Sequence, residues 1–166
     1  PSRGLGDVYK RQDMEGVAVF NLYELSQEIA FNIDEWSKII SDASAVIYQF
    51  PFYWMSAPSL LKKWQDEVFT FLSKTPAVAG KPLTVVTTTG SEYEAYRSGG
   101  RNRFTTDELL RPYQVSAIHS GMSWQTPIVV YGMGTADAGK NIAEGANLYK
   151  QRVEMLIGSS NAGNNW

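Results

Sequence analysis

Short apolar runs alternate along this chain with segments of helical periodicity, and this alternation limits the folds open to it more than any other feature. The apolar runs predict strands at residues 17–22, 45–50, 83–88 and 128–131. The helical patterns lie at residues 33–41, 59–73, 105–119 and 137–157. Strands that alternate with helices form a parallel sheet with helices on both faces. The sequence therefore predicts an α/β fold, a three-layer α/β/α sandwich.

Two of the predicted helices carry signals for their buried face and their ends. The helix at 59–73 has apolar residues at helical spacing: Leu61, Trp64, Val68 and Leu72. Thr105 and Glu108 form a capping box that begins the next helix. Pro112 should interrupt that helix, and Gly121 lies where it should stop.

The composition suits one compact domain, which we place at residues 13–158. With 166 residues, 43% of them apolar, the chain is long enough to bury a full core. Residues 1–12 have no strand or helix periodicity and resemble translated adapter or vector sequence, which predicts a non-native leader. Residues 159–166 are rich in Gly and Asn, which predicts a flexible tail.

Charge and residue usage exclude several classes of protein. A net charge of −2 and a pI near 5.4 give no basic surface for nucleic acid. The chain has no Cys and one His, His119, so neither a thiolate nor a multi-histidine metal site is predicted. No apolar stretch approaches the roughly 20 residues of a membrane span. We therefore expect a cytoplasmic protein.

The segment from Gln49 to Trp64 is the most informative for function. It reads as the end of a strand, an aromatic turn and the start of a helix near Pro58. In open α/β sheets ligands bind outside the carboxyl ends of the strands, so this turn is placed to meet a planar ring. Composition alone favours the alternative, an ordinary buried aromatic cluster.

A second loop follows the strand at 83–88 and is rich in hydroxyl groups. A Thr-Gly turn at a strand end brings backbone N–H and hydroxyl donors close to a ligand, because Gly removes the side chain that would block approach. A polar loop without a ligand is the alternative. Gly132 to Gly134 lack the spacing and the third Gly of a dinucleotide-binding fingerprint, so we interpret them as a loop after the last strand.

Four segments in order resemble the flavodoxin-like NAD(P)H:quinone oxidoreductases, a family that includes DT-diaphorase and the ancillary oxidoreductases of glutathione-regulated potassium efflux. They are QFPFYWMSAPSLLKKW at 49–64, VVTTTGSEYEAY at 85–96, GGRNRFTTDELLRPYQ at 99–114 and GMSWQTPIVVYG at 121–132. The four segments lie between residues 49 and 132, which is about half of the chain. It implies a flavodoxin-like fold whose first strand and phosphate-binding loop are missing from this sequence.

The resemblance also implies a flavin site and its residues. Aromatic residues of the turn would form the wall beside the flavin, and the Thr-Gly loop would make the polar contacts: Pro51, Phe52, Tyr53 and Trp54, then Thr88, Thr89, Gly90 and Ser91. Ser91 replaces a second Gly found in many relatives. Tyr96 would be catalytic, its phenol stabilising charge that develops on the flavin during hydride transfer.

Two further positions limit what the resemblance implies about the site. Some relatives place a histidine six residues after the tyrosine, where this chain has Asn102, so a histidine–tyrosine proton relay is not implied. His119 is interpreted as a structural helix residue. The stretch 99–104 is Gly-flexible and basic, which favours a cover over the flavin that meets an anionic nicotinamide dinucleotide. A solvated loop is nearly as compatible with these residues.

The function implied is two-electron transfer from NAD(P)H, as co-substrate, through a flavin to a quinone or similar flat acceptor. FMN is favoured over FAD as the flavin. A homodimer is implied too, and aromatic residues around Trp54 and Trp64 are compatible with one. The alternative is a regulatory flavodoxin-like subunit of a glutathione-gated potassium-efflux antiporter, held at the inner membrane through its partner. A single-electron flavodoxin carrier is disfavoured by the nicotinamide-family resemblance.

Overall fold

A computed structural model describes residues 14–25 and 30–162 of the chain. The predicted leader at 1–12 lies outside the described residues, as does the end of the predicted tail. Within the described part, the order of strands and helices follows an α/β pattern.

The sheet is parallel throughout its described strands. These are β1 Val46–Pro51, β2 Pro82–Thr88, β3 Ser123–Trp124 and β4 Ile128–Val130. β2 is the central strand. β1 pairs with one edge of it, from Val46 opposite Leu83 to Pro51 opposite Thr88. β3 and β4 pair one after the other with its other edge. The predicted strands at 45–50, 83–88 and 128–131 are confirmed, and β3 is an additional two-residue strand.

The strand predicted at 17–22 is wrong. Residues 17–21 have no regular structure, and a short helix, α1 Leu22–Leu25, follows. The Asn21 side chain accepts a hydrogen bond from the Tyr23 N–H at 3.1 Å and donates one to Glu24 at 2.8 Å. This local capping satisfies the first turn of a helix, and it outweighs the strand preference of the apolar residues before it.

The remaining helices cover both faces of the sheet. They are α2 Ile33–Asp42, α3 Ser59–Trp64, α4 Thr70–Leu72, α5 Thr106–Leu109, α6 Arg111–His119 and α7 Ala138–Ala162. A π-helical segment, Gln65–Phe69, joins α3 to α4, and a 3₁₀ helix spans Tyr93–Tyr96. The last helix continues beyond its predicted end at residue 157.

The signals at the helix ends behave as predicted. The Thr105 hydroxyl accepts from the Glu108 N–H, and the Glu108 carboxylate accepts from the Thr105 N–H at 2.8 Å, which completes the capping box. Pro112 lies in the first turn of α6 and separates it from α5. Gly121 follows α6 with φ +73°, the left-handed conformation that ends many helices.

The core forms on both faces of the sheet. Alternate residues of β2 point to opposite sides, so Leu83 and Val85 pack in a large cluster with α2, α3 and α6, and Val86 packs in a smaller one with α7. All four apolar residues predicted for the 59–73 helix are buried. Trp64 is only 3% exposed and stacks on Phe69, so it does not support a subunit contact, contrary to the expectation above.

α7 lies close against β4. A Cβ at Gly145 would stand 2.3 Å from a Val130 methyl group, so only glycine allows this approach. None of the helices in the part of the chain that the structure describes is long and apolar enough to cross a membrane.

Candidate functional site at the carboxyl edge of the sheet

The two loops that the sequence singles out lie side by side at the carboxyl ends of adjacent strands. The aromatic turn follows β1, and the Thr-Gly loop follows β2. The Phe52 N–H donates a 2.9 Å hydrogen bond to the Thr88 carbonyl, which continues the pairing of the strands into the loops. The two loops therefore converge at one edge of the sheet.

The aromatic turn is tight and strained. Tyr53 and Ser56 exchange backbone hydrogen bonds of 2.8 and 3.0 Å across it. Trp54 and Met55, the two residues between Tyr53 and Ser56, have φ values of +47° and +64°. Residues with a side chain rarely adopt such positive values. The Trp54 side chain is 97% exposed. A large apolar ring presented to solvent on strained backbone marks a surface built to contact something else.

Tyr113 of α6 holds this turn in place. Its hydroxyl oxygen accepts a 3.2 Å hydrogen bond from the Ala57 N–H and lies 3.3 Å from the Ser56 hydroxyl. Its ring is 7% exposed and packs against Phe50 at 5.3 Å. The sequence carries no local signal for this role, because the two segments are 56 residues apart.

The Thr-Gly loop uses its hydroxyl groups unequally. Thr87 donates to the Phe50 carbonyl and Thr89 to the Ser91 carbonyl, both at 2.8 Å, so these two side chains shape the loop. Within the described part of the chain, the Thr88 hydroxyl has no hydrogen-bond partner, and the N–H groups of Gly90 and Ser91 donate none. These groups are the donors left for a ligand.

The loop after β4 supports the Thr-Gly loop from its other side. The Met133 N–H donates to the Thr89 carbonyl and the Gly134 N–H to the Gly90 carbonyl, both at 2.9 Å. The Gly132 N–H donates to the Ser91 carbonyl at 2.8 Å. The interpretation of 132–134 as a loop after the last strand is confirmed, and its role is to brace residues 89–91.

Tyr96 packs against the aromatic turn. Its ring centroid lies 6.1 Å from that of Phe52 in an edge-to-face arrangement, and its side chain is 5% exposed. Tyr96, Phe52, and the Thr88 loop therefore belong to one neighbourhood. Pro51 ends β1, Tyr53 is half exposed at 46%, and the remaining predicted residues lie in the two loops.

The Gly-rich basic stretch folds back onto the Thr-Gly loop. Arg101 donates a side-chain hydrogen bond to the Ser91 hydroxyl. Gly100 fits closely, since a Cβ there would lie 2.0 Å from the Glu94 carbonyl oxygen. The Asn102 side-chain Nδ2 is buried without a hydrogen-bond partner in the described part of the chain. A buried amide donor without a partner costs stability.

Tyr131 is a residue of this neighbourhood that sequence reasoning missed. Its ring lies 5.8 Å from that of Tyr96, and its hydroxyl shares a 2.6 Å hydrogen bond with Thr106. Burial raises the pKa of its phenol. Tyr131 and Tyr96 both line a groove of about 570 Å³ that runs between the 3₁₀ helix and α7. Its position at the carboxyl end of the predicted strand 128–131 was the one available signal.

His119 lies exposed in the last turn of α6, as expected of a structural helix residue. Among the described residues, no group of His, Asp or Glu side chains is arranged to hold a metal ion.

Comparisons with known proteins agree with this architecture. A family model described as "Flavodoxin-like fold" matches residues 5–153. The glutathione-regulated potassium-efflux system ancillary protein KefG of Serratia proteamaculans is 36% identical over 124 residues, covering 72% of this chain and 68% of that protein. The uncharacterized NAD(P)H oxidoreductase YdeQ of Bacillus subtilis is 34% identical over 144 residues, covering 84% and 73%.

Among solved structures, the general stress protein 14 of Treponema denticola in complex with FMN superposes with a TM-score of 0.80. It is 26% identical, and the match covers 92% of this chain and 88% of that one. A parallel sheet with helices on both faces and a loop site at its carboxyl edge is the arrangement of a doubly wound α/β protein, and the family match identifies the flavodoxin-like type. The chain belongs to the flavodoxin-like NAD(P)H:quinone oxidoreductase family.

Proposed function

We propose that this protein is a flavin-dependent NAD(P)H:quinone oxidoreductase. The observation that carries the proposal is the junction of the aromatic turn with the Thr-Gly loop, joined by the hydrogen bond from Phe52 to Thr88, with Tyr96 packed against Phe52. The junction sets an apolar surface beside free polar donors, which is the lining that a flat ring with a polar edge requires. The similarity to an NAD(P)H oxidoreductase and to an FMN complex supports the same conclusion.

The residues present fit a flavin. Trp54 offers an exposed ring for stacking, and Phe52 is partly buried against the core on the inner side of the turn. The Thr88 hydroxyl and the N–H groups of Gly90 and Ser91 would bind the polar edge of the flavin ring system. Thr89 would act indirectly, because its buried hydroxyl fixes the loop. FMN is our proposed flavin, since a similar structure contains it.

Tyr96 is the proposed catalytic residue. A flavin, when bound, supplies the two-electron chemistry that links NAD(P)H oxidation to quinone reduction. The Tyr96 phenol would donate a hydrogen bond where negative charge develops. The turn and the buried Phe52–Tyr96 contact would exclude water from that side. Arg101 and Arg103, both exposed on the basic stretch, would attract the phosphates of the dinucleotide.

The test is reconstitution followed by steady-state kinetics. Purified protein is titrated with FMN and, separately, FAD, with binding followed by quenching of flavin fluorescence. The loaded protein is then assayed for NADH and NADPH oxidation with a quinone. We expect tighter binding of FMN and a ping-pong pattern, because one slot would serve both substrates in turn. A protein that binds neither flavin, or binds one without oxidising either nucleotide, would contradict the proposal.

A second candidate is supported by the similarity to KefG. In that case the protein would act as a regulatory flavodoxin-like subunit of a glutathione-gated potassium-efflux antiporter, and its own turnover would be secondary. Co-purification with the cytoplasmic domain of such an antiporter, by a protein whose quinone turnover is slow, would favour this function. Rapid turnover without binding to the antiporter domain would favour the enzyme. Size-exclusion chromatography in the same preparation tests the proposed homodimer.

A further inference from the structure

We propose that Tyr131 is the positioning residue of Tyr96: anchored by Thr106, its ring fixes the orientation of the Tyr96 ring. The effect on turnover rests on the function proposed above, whereas the effect on Tyr96 itself does not. Neither Tyr131 nor Thr106 was expected at the site from the sequence.

Tyr96 has no polar anchor of its own. Within the described part of the chain its hydroxyl makes no hydrogen bond, and its two ring contacts are with Phe52 at 6.1 Å and with Tyr131 at 5.8 Å. The interplanar angles are 69° and 51°, so both neighbours meet the ring at an inclination. The direction of the phenol is therefore set by packing, and the phenol remains free to bind a ligand.

Tyr131, in contrast, is fixed at both ends. Its hydroxyl shares the 2.6 Å hydrogen bond with Thr106, and its carbonyl oxygen accepts a 3.0 Å hydrogen bond from the Asn141 side chain. Thr106 is 5% exposed and begins α5, whose first turn is held by the Thr105–Glu108 capping box. A ring tied to a capped helix is a rigid neighbour.

The open groove makes this anchor necessary. Tyr96, Tyr131 and Tyr93 line the same space of about 570 Å³, and Tyr93 also meets Tyr131 at 5.3 Å. If Tyr131 shifts, the Tyr96 ring has room to follow it into the groove. Small displacements of a catalytic group are costly, because rate depends steeply on its placement.

Two variants remove the same hydrogen bond from opposite sides: Tyr131→Phe and Thr106→Val. Thr84→Val is the matched control, since the fully buried Thr84 hydroxyl also makes one hydrogen bond, to the Thr126 carbonyl at 3.1 Å, away from Tyr96. 3-Fluorotyrosine incorporated at position 96 reports the ring environment by ¹⁹F NMR in flavin-free protein. We expect both variants to shift or broaden the signal and the control to leave it in place. An unchanged signal in both variants would overturn the proposal.

Kinetic measurements test whether the effect of Tyr131 on turnover depends on Tyr96. Tyr131→Phe should lower kcat about 5-fold, the equivalent of one hydrogen bond, with the flavin Kd unchanged. Combined with Tyr96→Phe, it should lower kcat no further. An equal loss in both backgrounds would show a structural role and refute positioning. A protein without flavin or turnover would refute the proposed function alone, because the NMR arm still decides the role of Tyr131.

Discussion

The Ala57 N–H donates a 3.2 Å hydrogen bond to the Tyr113 hydroxyl oxygen, which ties the strained aromatic turn to α6. Tyr113→Phe removes this acceptor and keeps the ring. We expect the free energy of unfolding to fall by about 1 kcal/mol, because the Ala57 N–H loses its partner. Flavin affinity should fall with it, since the turn is less well held. Urea unfolding and flavin titration measure the two effects.

Tyr48→Phe is the matched control for that change. The Tyr48 ring is similarly buried, at 5% exposed, and contacts Tyr113 at 6.5 Å. Its hydroxyl lies near the Gln65 side chain but makes no hydrogen bond of good geometry in the described part of the chain. Removing it should leave stability at pH 7 unchanged or raise it. Equal losses in the two variants would show that the Ala57 contact is not what matters.

The burial of the Tyr48 phenol also predicts how the free energy of unfolding changes at alkaline pH. Burial raises the pKa of its phenol well above the ordinary value of 10.0. Above pH 10 the unfolded chain therefore loses this proton while the folded protein retains it, so the free energy of unfolding should decline as pH rises. Urea midpoints measured between pH 8 and about pH 11 test this. Tyr48→Phe should decline less steeply; an identical slope in both proteins would contradict the prediction.

Tyr96→Phe should separate turnover from binding. The phenol is proposed to act where charge develops in the transition state, whereas the loops at Pro51 and Thr88 are the proposed determinants of flavin retention. Losing one such donor lowers kcat on the order of 10²-fold, and less where water replaces it. Flavin Kd should stay constant. A large loss of flavin affinity with kcat preserved would place Tyr96 in binding instead.

Trp54→Ala should show the opposite pattern. The side chain is 97% exposed, so its removal leaves the free energy of unfolding nearly unchanged. Flavin affinity should fall first, because stacking area is lost before any charge stabilisation is touched. Trp54→Phe retains a ring and should restore part of the affinity. Flavin titration of the three proteins is the measurement, and equal affinities would remove Trp54 from the site.

Adjacent glycines give a test of the basic loop. A Cβ at Gly100 would lie 2.0 Å from the Glu94 carbonyl oxygen, whereas a Cβ at Gly99 meets nothing within 4 Å. Gly100→Ala should therefore lower the free energy of unfolding by about 2 kcal/mol through overpacking and displace the loop that leads to Asn102. Gly99→Ala should change it by less than about 0.5 kcal/mol. Thermal and urea unfolding compare the pair, and similar losses would contradict the close fit at Gly100.

Features that depend on nearby residues were predictable from the sequence. The parallel strands β1, β2 and β4 follow from apolar runs, and the capping box of Thr105 with Glu108 follows from residues three apart. The adjacency of the two site loops follows as well, because strands of a parallel sheet end at the same edge. The strand expected at 17–22 was wrong because the Asn21 side chain caps a helical turn there. This capping outweighs an apolar pattern that spans only a few residues.

Contacts between distant segments were decided by the tertiary structure alone. Tyr113 holds Ala57 across 56 residues, and Tyr131 meets Thr106 across 25. The exposure of two tryptophans in one segment differs for the same reason. Trp64 packs into the core and is 3% exposed, whereas the Trp54 side chain is 97% exposed to solvent. Residue type and spacing fix which face of a helix is apolar, as for Trp64. The exposure of a residue in a turn depends on which other elements pack over it, and that is set only when the sheet and its helices assemble.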